Sequence, residues 1–175
     1  MSEAAVEQHS SIDPQAGING PPVLDSFAHV SVPCRDLEEG KRFYTQVLGG
    51  KIRVDTPTFA AIVVNGVEIG IGNEGCTFLE PSHEYPHFAF YCGPEALSQM
   101  KAWLARCGIP SSNFWTRKGV EALMFFRDPS GNMIELFCKS GFAGAADLPK
   151  GPPRGHGTVV DVEAFRYDTW SLPDE

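Results

Sequence analysis

Between residues 29 and 140, apolar and polar positions follow the same order twice. "HVSVPCRDLEEGKRFYTQVLGGKI" (29–52) opens as a short apolar strand and breaks at Pro33. It then shifts to helical spacing, with Leu37, Tyr44, Val47 and Leu48 on one face. Asp36 is placed to cap that helix with Glu39 three residues on, and Gly49-Gly50 ends it. "HFAFYCGPEALSQMKAWLARCGI" (87–109) repeats these events. Pro94 suits the first helical position, Leu97, Met100, Leu104 and Cys107 make the stripe, and Gly108 stops it. Each helix is followed by strand, turn, strand. The first pair is "FAAIVVNGVEIGIG" (59–72), with an Asn-Gly hairpin turn, and the second is "EALMFFRDPSGNMIELF" (121–137), with an Asp-Pro-Ser-Gly turn. The pattern predicts an α+β chain of two paired β-α-β-β-β modules, residues 24–75 and 84–140.

One residue breaks the pattern. Glu135 lies inside the apolar run Met133, Ile134, Leu136, Phe137, which calls for burial on both faces. An ionised carboxylate there needs a compensating charge.

The ends differ from the middle. Residues 1–23 are rich in Ser, Ala, Gly, Pro and Gln and are expected to be poorly ordered. Residues 141–175 begin as a Gly/Pro-rich linker and then recover Val159, Val160, Val162, Phe165, Tyr167 and Trp170. So apolar a tail is expected to pack on the body or on a partner subunit. A net charge of −8 argues against nucleic acid and an anionic membrane surface, and no apolar run approaches the roughly 18 residues of a membrane span. The N-terminus has neither a basic start nor an apolar stretch, and the five cysteines form no CxxC, so a reducing cytoplasm is expected. "GIGNEG" (70–75) fits G-x-G-x-x-G, but Pro81 and Pro86 follow instead of a helix, which excludes a dinucleotide site.

Paired modules that each open with His, the second closing on "DPSGNMIELF", resemble the vicinal oxygen chelate superfamily over residues 25–139. That group includes glyoxalase I, type I extradiol dioxygenases, fosfomycin-resistance thiol transferases and bleomycin-binding proteins. The resemblance implies facing half-barrels around one metal site, with His29, His87 and Glu135 at the ligand positions. Two imidazoles and a carboxylate suit Fe(II), Mn(II), Ni(II) or Zn(II), and a cation would neutralise Glu135. A homodimer is implied as well, and the bleomycin-binding relatives leave a metal-free binding module open.

The leading expectation is an Fe(II) dioxygenase-like activity on a small aromatic or phenolic substrate, because two His and one carboxylate form the facial set of non-haem oxygenases. Phe125 stands where those enzymes carry a Tyr, so His83, Tyr85 or Tyr167 would have to supply acid–base chemistry beside Glu135. A glyoxalase-like lyase or isomerase using Zn, Ni or Mn is the alternative. Aligning "NGVEIGIG" with "GNMIELFC" puts Ile69 opposite Glu135, which turns Glu68, the candidate fourth ligand, to the other face. Side chains sharing the ligands' parity, Ala89, Tyr91 and Phe137, together with Phe59, Trp115 and Phe125, are expected to line an aromatic cup. Arg117, Lys118 or Arg127 would hold an anionic group at its rim.

Overall fold

The computed structural model describes residues 26–78, 86–151 and 165–173. Module one begins with β1 (His29–Pro33) and α1 (Leu37–Arg42), whose Asp36 cap accepts the Glu39 N–H at 3.0 Å. The helix widens into a π turn at Phe43–Val47 before β2 (Lys51–Asp55), β3 (Phe59–Val64) and β4 (Val67–Gly72). The β3–β4 hairpin turns at Asn65 and Gly66, with φ of 46° and 82°, the left-handed pair that such a turn requires. Module two has β5 (His87–Tyr91), α2 (Pro94–Arg106), β6 (Ala122–Arg127) and β7 (Met133–Cys138). Its expected strand after the helix is reduced to isolated bridges, Ser111 with Phe126 and Trp115 with Leu123. Among the described residues, no helix is long and apolar enough to cross a membrane.

The sheets are β1-β4-β3-β2 and β5-β7-β6. In both, the opening strand runs parallel to the closing one, and the other pairs are antiparallel. The registers superpose the halves: His29 pairs with Glu68 as His87 pairs with Met133, and Ser31 pairs with Gly70 as Ala89 pairs with Glu135.

Each sheet has two unlike faces. Ile62, Ile69 and Ile71 of module one and Met124, Phe126, Ile134 and Leu136 of module two share a core with the helical Phe43, Tyr44, Leu97 and Leu104. The opposite faces carry the histidines and Glu135.

The turn after β6 ties the modules together. Asp128 Oδ1 accepts the Ser130 and Asn132 N–H groups at 3.0 and 2.8 Å. Its Oδ2 accepts Tyr44 O–H at 2.9 Å and Asn132 Nδ2–H at 2.7 Å. Asn132 Nδ2 also donates to the Pro33 carbonyl at 2.8 Å, and Arg35 N–H to Ser130 Oγ at 2.9 Å, so the end of β1 is fixed to module two. Burial pushes the Asp128 carboxyl up to about 6 against the pull of these donors.

Residues 165–173 pack on the body of the same chain. Tyr167 O–H donates to the Arg127 carbonyl at 2.9 Å, Trp170 Nε1–H to Glu39 Oε1 at 3.0 Å, and Ser171 N–H to the Cys107 carbonyl at 3.1 Å.

Candidate metal centre

Glu135 is fixed by β7, paired to Ala89 on one side and Phe125 on the other, and is 4 % exposed. Its two oxygens have different partners. Oε2 lies 3.4 Å from His87 Nε2, and Oε1 accepts a hydrogen bond from Arg117 Nη2 at 3.1 Å. The charge that the strand pattern made anomalous is therefore compensated within the chain by the guanidinium of Arg117, which the sequence offered only as a rim cation.

Arg117 reaches Glu135 because its loop is held. Glu121, buried at the foot of β6, takes the Arg117 and Lys118 N–H groups on one oxygen, each at 2.8 Å. Burial raises the Glu121 carboxyl, but the backbone donors outweigh it, and the net position is below the usual carboxylate range. Thr116 Oγ1 accepts the Gly119 N–H at 2.8 Å, and the Thr116 backbone bonds to Pro149 and Gly151, both at 3.0 Å. The guanidinium then sits 5.2 Å from the Trp115 ring and 5.7 Å from the Phe137 ring.

Around this pair opens a cavity of about 350 Å³, lined by Ala89, Phe90, Tyr91, Arg117, Glu135 and Phe137. Tyr91 and Phe137 lean on one another at 5.4 Å, and the edge of Phe125 meets the His87 ring at 5.3 Å. Trp115 is fully buried beside Phe125, and its Nε1–H has no hydrogen-bond partner among the described residues.

Several expected residues fall elsewhere. Phe59 lies on module one, its ring over Gly70, and does not line this cavity. Arg127 is buried, with Nη1 on the Gly131 carbonyl at 2.7 Å, so it is not a rim cation. Tyr167 spends its hydroxyl on the Arg127 carbonyl, and burial drives that phenol far above its ordinary value. His83 and Tyr85 lie outside the described residues. Glu68 corrects the sequence reading: the register puts it on the His29 face, paired with Arg53, and makes Gly70, not Ile69, the counterpart of Glu135. A side chain at Gly70 would meet Ser31 Oγ at 2.7 Å and the Phe59 ring at 3.0 Å, so module one offers no second carboxylate at the matching point.

The donor chemistry of His87 and Glu135, one imidazole nitrogen and one carboxylate oxygen turned toward each other, fits two positions of a divalent cation. His29 does not join them. It is exposed on module one, and no group of three His, Cys, Asp or Glu side chains able to hold an ion occurs within the chain among the described residues.

The sequence pattern of the Glyoxalase/Bleomycin resistance protein/Dioxygenase superfamily matches residues 26–136. The chain belongs to this superfamily. It is similar to the metallothiol transferase FosB of Staphylococcus epidermidis, with 28 % identity over 116 residues that span 65 % of this chain and 81 % of that protein. Solved structures share the fold. One is the fosfomycin resistance protein FosX of Listeria monocytogenes, complexed with Mn(II) and 1S,2S-dihydroxypropylphosphonic acid. It has a TM-score of 0.57 and 17 % identity, covering 66 % of this chain and 93 % of that one. Another is lactoylglutathione lyase from Agrobacterium tumefaciens, with a TM-score of 0.56 and 18 % identity, covering 69 % and 96 %. The matched segment ends before the described tail residues 165–173.

Proposed function

We propose that the chain is a divalent-metal enzyme acting on a small anionic molecule with metal-binding oxygens, and that a second copy of the chain completes its centre. The observation that carries this reading is the divided carboxylate of Glu135. One oxygen turns to the His87 imidazole, and the other is held by Arg117 at the mouth of an aromatic cup. A carboxylate steered in this way by an outer partner is the usual setting of a metal ligand.

His87 and Glu135 are two of the donors, and His29 of another copy is the third. Within one chain the His29 face is open, and Tyr91, on the face that would meet it, is 73 % exposed. The bound cation supplies Lewis-acid polarisation of a substrate oxygen. Arg117 uses one N–H on Glu135, and its remaining donors suit a phosphonate or carboxylate. Tyr91 and Phe137 give the organic part of the substrate an apolar side and keep water from it. Addition of a thiol or water, or an isomerisation, is the reaction class this supports, in keeping with the similarity to a metallothiol transferase.

A dioxygenase acting on a phenol is the second reading, favoured by the two-imidazole, one-carboxylate donor set and Fe(II). It ranks lower because the strand neighbour of Glu135 is Phe125, which can move no proton.

The deciding experiment is metal analysis of anaerobically purified wild type and Glu135→Ala, followed by product detection by NMR with three mixtures. These are fosfomycin with a thiol or water, methylglyoxal with a thiol, and catechol with O₂ uptake. Mn, Zn or Ni near one per chain, lost in the variant, with turnover of either of the first two mixtures, supports the leading reading. Iron with O₂ uptake selects the second. A wild type that takes up no metal on reconstitution overturns both.

A further inference from the structure

The face of module two that bears Glu135 continues past the cavity as Met133, Phe125, Leu123 and Trp115, and one side chain from far along the chain covers it. Phe165, 4 % exposed, is buried in this cluster, with Phe137 packed against its edge. It is held by its neighbours. Two residues on, Tyr167 bonds to the Arg127 carbonyl, and Trp170 packs edge-on against Phe43 at 5.9 Å and under the Arg42 guanidinium. We infer that Phe165 sets how large an apolar substituent the substrate can carry, by backing Phe137 on the β6 side of the cup. The inference rests on His87 and Glu135 marking the ligand centre.

The route to Phe165 runs through side chains already placed. His87 meets the edge of Phe125, Phe125 lies 5.7 Å from Trp115, and Phe165 is buried among both. A ligand whose polar end lies at Glu135 and Arg117, and whose apolar arm runs toward β6, meets Phe137, and behind Phe137 stands the cluster that Phe165 completes. The cup holds about 350 Å³, room for a small molecule only, and its Phe137 wall packs against the cluster in which Phe165 is buried. Phe165 lies beyond the segment matched by the superfamily, so this limit belongs to the chain's own tail.

The rival role is a plain cover for an apolar face, and the two differ in what they do to ligand size preference. The test uses full-length, Mn(II)-incubated protein and calorimetric titration with methylphosphonate and phenylphosphonate. Phe165→Ala is expected to raise the affinity for phenylphosphonate relative to methylphosphonate by about tenfold or more. Phe165→Leu should shift it the same way by less, and Phe165→Trp the opposite way. If Phe165→Ala does not fold, the Leu and Trp variants decide by the sign of their shifts. No relative gain for phenylphosphonate in the smaller variants, including no binding of it at all, overturns the inference. Manganese content is measured on the same samples. A gain in protein that holds no metal removes the metal reading and leaves the size limit standing.

Discussion

Arg117 Nη2 lies 3.1 Å from Glu135 Oε1, and this bond leaves the other oxygen of the carboxylate to His87. The guanidinium is partly open to solvent, so its value lies in aim more than in stability. Arg117→Ala is expected to keep the metal content and lower the affinity for a phosphonate about tenfold or more, the order of a lost charge-assisted hydrogen bond. Arg117→Lys should recover part of it, since the point charge stays and the fork is lost. Calorimetry beside metal analysis reads both quantities.

The separation of His29 from His87 and Glu135 makes complementation possible. His29→Ala and Glu135→Ala chains are each expected to be metal-poor alone. Mixed under conditions that exchange subunits, they should regain about a quarter of the wild-type sites, because half the dimers are mixed and each of those has one intact site. Recovery of nothing, with exchange shown by mass, would place all three donors in one chain or discard His29.

Asp128 gives a pH signature. Its carboxyl stands at about 6 in the fold against 3.8 when unburied, so the folded state holds the proton more tightly. Stability from this group is therefore present at low pH and lost as pH rises from about 4 through about 6, by on the order of 3 kcal/mol. Asp128→Asn should flatten that part of the curve. At pH 7 it should still cost about 1–3 kcal/mol, because the amide turns donors toward the donors of Tyr44 or Asn132. Urea unfolding at several pH values measures the slope.

Glu121 tests how far the loop matters to the cup. Glu121→Ala leaves the Arg117 and Lys118 N–H groups without their partner and should cost about 1–3 kcal/mol. If the loop aims the guanidinium, phosphonate affinity falls with it, while Glu121→Gln, which keeps an acceptor oxygen, retains most of both. Loss of stability with unchanged affinity would show that Arg117 finds Glu135 without help.

What the sequence showed plainly was local. The Asp36 cap, the Asn65-Gly66 turn, the helix stop at Gly108 and the repeated grammar each depend on neighbours a few residues apart, and each is present. The error at Glu68 shows the limit of that reasoning. Alternation fixes parity within a strand, but the face depends on register against β1, a parallel partner some 40 residues away. The same limit hid the pairing of Arg117 with Glu135 and the place of Phe165. Arg117 meets Glu135 across 18 residues of chain through a loop whose shape depends on Glu121, and "FWTRKGVEAL" carries no period that predicts it. The aromatic content of the tail led to an expectation of packing, but nothing in it pointed to Phe165 as the residue that joins the Trp115, Leu123, Phe125 and Met133 cluster.

Gly70 gives the repeat a direction. The two halves share one register, yet at the point where the second carries Glu135 the first has no side chain, and Phe59 lies over the gap. The carboxylates of the two halves therefore stand at different points: Glu68 pairs with His29 itself in module one, whereas Glu135 lies two residues along from the partner of His87 in module two. A carboxylate placed at Gly70 would have to displace both Ser31 Oγ and the Phe59 ring, which a Cβ there would meet at 2.7 and 3.0 Å. An engineer seeking a four-donor centre in this chain would start with room at Ser31 and Phe59 before adding a donor at Gly70.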